Sequence, residues 1–86
     1  MNMEEVSTDI TLFPNPASNF FQVKGLENHE EDVAYLIHDL AGRTVQNATI
    51  SASNNAIDVS NLANGMYLFT SFLNGEKITK KFTVSQ

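Results

Sequence analysis

Three carboxylates, Asp32, Asp39 and Asp58, fall near the ends of strand-like segments, where a carboxylate can bind calcium or cap a turn. Calcium needs several oxygen ligands at once, which a binding loop supplies by regular acidic spacing. That spacing is missing here, so turn capping is the expected role. His29 lies in an acidic run and His38 beside Asp39, without the i, i+4 or paired spacing of a zinc site. Ser60, His38 and Asp58 are the residue types of a nucleophilic triad, yet no Gly-x-Ser-x-Gly elbow presents the serine. Glycines at 25, 42, 65 and 75 are too scattered for a phosphate-cradling loop. Phe20, Phe21 and Tyr67 are candidates for an aromatic sugar platform, although adjacent residues in a strand face opposite sides. These side chains do not indicate catalysis, and neither a metal nor a cofactor is expected.

The frame that must position them is small. A chain of 86 residues, 42% hydrophobic, suffices for one domain with a modest core. Without cysteine, disulfide staples and thiolate zinc sites are excluded. Ten acidic and five basic residues give a formal charge of -5, which argues against nucleic acid and anionic membrane as partners. No run approaches the ~20 apolar residues of a membrane helix. Residues 1–9 are acidic and lack an apolar signal core, so they read as a linker tail. An exported parent would then carry its signal upstream. Residues 10–86 form the expected domain.

No segment sustains a 3.6-residue apolar period, so essentially no helix is expected. About seven short strands separated by turn signals point to a small immunoglobulin-like antiparallel β-sandwich. A first strand over 10–13 is cut by Pro14, Asn15 and Pro16, which make a fixed corner, and the chain resumes as a strand over 19–25. Residues 33–39 are apolar at alternate positions on both faces and read as an interior strand buried on both sides. A turn at 39–42 leads to a more polar strand over 43–50, expected near an edge.

The organising stretch is 55–69. Ile57 and Val59 form a short strand, Leu62 reads as a plug between the layers, and Gly65 permits positive φ before a strongly apolar strand over 66–73. That strand is expected at the centre of its sheet. Asn74-Gly75 signals a tight type I′ hairpin into the last strand, 77–84. There Ile78, Phe82 and Val84 alternate with Lys77, Thr79, Lys81 and Thr83, while Lys80 interrupts the apolar face and must snorkel or lie at the rim.

Four segments in order carry a resemblance: Leu12-Phe-Pro-Asn-Pro-Ala-Ser18, Leu36-Ile-His-Asp-Leu-Ala-Gly-Arg-Thr-Val45, Ile57-Asp-Val-Ser-Asn-Leu-Ala-Asn-Gly-Met-Tyr-Leu68 and Lys80-Lys-Phe-Thr-Val84. Each alone is weak. Together they resemble the type A C-terminal sorting domain of the type IX (Por) secretion system of Bacteroidetes, over residues 10–86. The resemblance implies a non-catalytic immunoglobulin-like domain ending a larger cargo protein, recognised by the outer-membrane translocon and usually removed by a surface sortase. It also implies passage through the periplasm to the cell surface or medium. Partner recognition would rest on Gly65, Tyr67, Lys80 and Lys81, with Pro14, Asn15 and Pro16 as the opening corner. Many members end on or near a basic residue, whereas this chain ends on Gln86. A basic last strand on an acidic domain suits recognition by strand addition or charge, guards the edge against aggregation, and offers an edge for homodimer pairing. The competing reading is an immunoglobulin-like carbohydrate-binding or adhesion module appended to a surface enzyme.

Overall fold

A computed structural model describes residues 10–26, 31–73 and 75–86. The tail at 1–9, His29 and Asn74 lie outside them, so the linker and the class of the last hairpin turn stay as expectations. The described residues form seven strands and no helix: β1 (Thr11–Phe13), β2 (Phe20–Lys24), β3 (Val33–Asp39), β4 (Thr44–Ile50), β5 (Ala56–Asp58), β6 (Gly65–Leu73) and β7 (Glu76–Val84). They make two antiparallel sheets, of order β1-β2-β5 and β4-β3-β6-β7. The chain crosses between the sheets three times, giving the small antiparallel sandwich its strand pattern anticipates.

Apolar side chains at every second position let each strand bury one face. Phe21 and Val23 point inward from the smaller sheet; Tyr35, Ile37, Phe69 and Phe82 do so from the larger. Their rings interlock across the interlayer space. Phe21 meets Phe82 at 4.7 Å between centroids and Phe69 edge-on at 6.0 Å, while Tyr35 stacks on Phe69 at 5.5 Å. The sheets are thus joined through Phe21. Along one open side, the Gln46 amide donates to the Asp58 carbonyl at 3.1 Å and to the Tyr35 hydroxyl at 3.2 Å, linking β4 to β5.

Two local expectations need correction. β3 lies inside its sheet, between β4 and β6, yet it is buried on one face only: Ala34 and Leu36 are exposed. Among the described residues no third layer stacks on the outer face of this two-layer sandwich, so an apolar residue there stays at the surface. Leu62 packs only partly against the core and does not plug it; its N–H closes a turn onto the Val59 carbonyl at 3.0 Å. The interlayer space it was expected to fill is occupied by the aromatic rings. Placement of β6 at the centre of its sheet and of β4 at an edge agrees with the sequence reading.

Candidate functional site

The candidate recognition residues meet on the ribbon of β6 and β7. Gly65 pairs with Val84, Tyr67 with Phe82, Leu68 with Lys81 and Phe69 with Lys80. Gly65 opens β6 with φ 151°, outside the range side-chain-bearing residues favour, which is why glycine stands where the interlayer turn becomes a strand. Tyr67 is buried. Its ring stacks on Phe82 at 5.8 Å and its hydroxyl donates to the Ala63 carbonyl at 2.7 Å. It therefore orders the 59–64 turn and presents no ring to a partner.

Of the two adjacent lysines, Lys81 is exposed on the outer face and Lys80 is half-buried on the inner side. Lys80 borders an open cleft of about 250 Å³ between β1 and β7, shared with Ile10, Leu12, Asn15 and Lys81. This is the rim position that its interruption of the apolar face requires.

The opening corner joins the same place. Both X–Pro bonds, Phe13–Pro14 and Asn15–Pro16, are cis. Asn15 Oδ1 accepts the Thr83 N–H at 3.0 Å. Ala17, fully buried, donates its N–H to the Thr83 carbonyl and accepts the Ser85 N–H, both at 2.8 Å, as a parallel bridge to Val84. The corner thus covers the C-terminal end of the β7 edge. Farther back, the backbone groups of Lys77, Thr79 and Lys81 have the same outward parity as those of Thr83.

The chain end is held as well, a feature missed at the sequence level. Gln86 donates its N–H to Asn64 Oδ1 at 2.9 Å, and its amide donates to the carbonyls of Leu62, Ser60 and Val59 at 3.2, 3.3 and 3.4 Å. Only proximity created by the fold makes these bonds, so no local pattern announced them. The ties bring the last residue against the turn that precedes Gly65.

The residues considered for other chemistry are dispersed or already engaged. Asp39 accepts the N–H groups of Ala41 and Arg43 at 3.0 and 2.9 Å, with the Arg43 guanidinium 3.2 Å away. The Arg43 backbone bond, with the guanidinium charge, holds its carboxyl below the ordinary aspartate value. Asp58 accepts the Ser60 hydroxyl at 2.7 Å and its N–H at 2.8 Å, and the hydroxyl first, then the N–H, lowers its pKa. Both aspartates cap turns. The structure does bring Ser60 and Asp58 together, but His38 lies in the other sheet, paired with Leu68 and Thr44. Among the described residues no three His, Cys, Asp or Glu side chains cluster. The sugar platform is overturned: Phe21 and Tyr67 are buried, and of the three rings only Phe20 is exposed. Each points inward because it lies on the face of its own sheet that packs against the other sheet.

The family model described as the secretion system C-terminal sorting domain matches residues 11–85. Among curated proteins, none matches the chain.

Proposed function

The chain belongs to the secretion system C-terminal sorting domain family, that of the type IX system of Bacteroidetes, and on that premise we propose that it is the removable export address of a larger cargo protein. Membership carries the general part: a type IX sorting signal, of a kind non-catalytic in general, attached to cargo recognised by the secretion machinery and exported across the outer membrane. The finer reading is ours. Residues 10–86 are the sorting unit, without catalytic activity of their own. An outer-membrane translocon reads them, and a surface sortase then cuts them from the cargo at the cell surface or before release.

The single observation behind this reading is the family match across nearly the whole chain. The geometry adds support for the recognition elements. Gly65, Tyr67, Lys80 and Lys81 occupy one two-stranded ribbon, and Pro14, Asn15 and Pro16 brace its end. Tyr67 contributes by ordering the turn, whereas Lys81 can touch a partner directly. Strand addition would use the stretch from Lys77 to Lys81, since Ala17 already bridges the end of the edge. Homodimer pairing through that stretch is disfavoured, because an antiparallel partner would set lysines against lysines. Fusion of residues 10–86 to a periplasmic reporter in a type IX-competent strain tests the assignment. Appearance of the reporter outside the cell supports it, and retention in the periplasm rejects it.

A further inference from the structure

The outer face of the four-stranded sheet collects exposed apolar side chains. Leu36, Met66 and Phe72 are 40%, 42% and 60% exposed, with Leu68 half-buried between them. Their alternation along β3 and β6 puts them on the side away from the core. On the side of this face formed by β4, β3 and the far end of β6, an open depression of about 370 Å³ is bordered by Ala34, Leu36, Thr49 and Phe72 and floored by Thr70. Thr70 is only 4% exposed and lies 3.4 Å from the Thr79 hydroxyl. One margin is cationic: Lys77 stands beside Phe72 and Lys81 beside Leu68 in the β6–β7 register. Among the described strand residues of this face there is no carboxylate, although the whole chain carries -5.

We propose that this face is a docking surface for another protein whose contact segment presents apolar side chains bordered on one side by carboxylates. The charge selects the occupant. A second copy of the chain would bring an identical face, with lysines and no counter-charge, whereas an acidic-rimmed segment fills the depression and pairs with Lys77 and Lys81. The two chemistries act together, burial of Phe72 and Leu36 giving affinity and the lysine row giving orientation. This proposal rests on the reading that the domain is recognised by export machinery, and it moves the contact from the strand edge to the sheet face.

The test places the photo-cross-linker p-benzoylphenylalanine at position 72, or at position 20 as an exposed aromatic control on the other sheet, in the reporter fusion within exporting cells. The expected result is an adduct from position 72 and none from position 20, mapped to an apolar segment of an export component that carries aspartate or glutamate. K77E/K81E should reduce that adduct at least tenfold, and lysines replacing the mapped carboxylates should restore it. Four results would overturn the proposal: no adduct at 72, equal adducts at both positions, indifference to charge reversal, or an adduct joining two copies of this chain. Flotation of the domain with phosphatidylglycerol vesicles, lost in K77E/K81E, would assign the face to lipid and overturn it equally. Retention of the parent fusion in the periplasm would reject the export reading itself. By contrast, normal export and unchanged melting of F72S and K77E/K81E would reject the docking face alone.

Discussion

Asn15 Oδ1 accepts the backbone N–H of Thr83 at 3.0 Å, across 68 residues of chain, so the first corner holds the last strand in place. A hydrogen bond of this kind contributes about 0.5–1.5 kcal/mol net. Asn15→Ala should lower stability by about that amount, read as a downward shift in urea midpoint with unchanged slope. No change would mean that the Ala17 bridge alone fixes the strand end.

Gly65 has open space around its α-carbon, so a methyl group there meets no neighbour, but φ at 151° is strained for any residue with a side chain. Gly65→Ala should cost about 1–3 kcal/mol through the backbone alone. A thermal melt indistinguishable from the parent would show that the turn relaxes without strain.

Phe21 and Leu62 should separate sharply under truncation. Phe21 is fully buried and touches two rings of the opposite sheet, so Phe21→Ala should cost about 3–5 kcal/mol. Leu62 is only partly buried, and Leu62→Ala should cost less than the ~2–5 kcal/mol typical of a fully buried leucine. Equal losses in chemical denaturation would contradict the aromatic cluster as the link between layers.

Asp39 and Asp58 both have carboxyls held below the ordinary value of 3.8, by the Arg43 backbone bond and guanidinium in one case and by Ser60 in the other. A lowered folded-state pKa means that the unfolded chain binds the proton more readily. Their stabilisation is therefore complete above the ordinary carboxylate range and declines as pH falls through the lowered folded values. D39N/D58N should flatten this acid limb in melts taken from pH 6 downward. An acid limb unchanged in the double variant would show that other carboxylates set it.

Much of this was legible in sequence, and the misreadings share a cause. Alternation placed β7, and Gly42 marked the turn after β3, because period and punctuation are local properties. In β3 and β6 both faces are apolar, so alternation could not say which side the second sheet covers; Leu36 and Phe72 therefore emerged as surface residues. Tyr67 and Phe21 were candidates for a platform because an aromatic pattern reads alike for a core and a binding surface. Asn15, Ala17 and Gln86 bond across the fold, and no single segment encodes such ties.

K80A/K81A should still fold, since Lys81 is exposed and Lys80 stands at the rim of an open cleft, not in the closed core. The reporter fusion carrying it should leave the periplasm several-fold less efficiently. Unfolding of the variant would mean that the lysines serve the fold instead.

The most direct measurement is the fraction of a periplasmic reporter that becomes accessible to protease on intact type IX-competent cells, with and without residues 10–86 at its C-terminus. Most of the tagged reporter should become accessible, and the untagged reporter should stay protected. Equal protection of both would contradict the role of this domain as an export address.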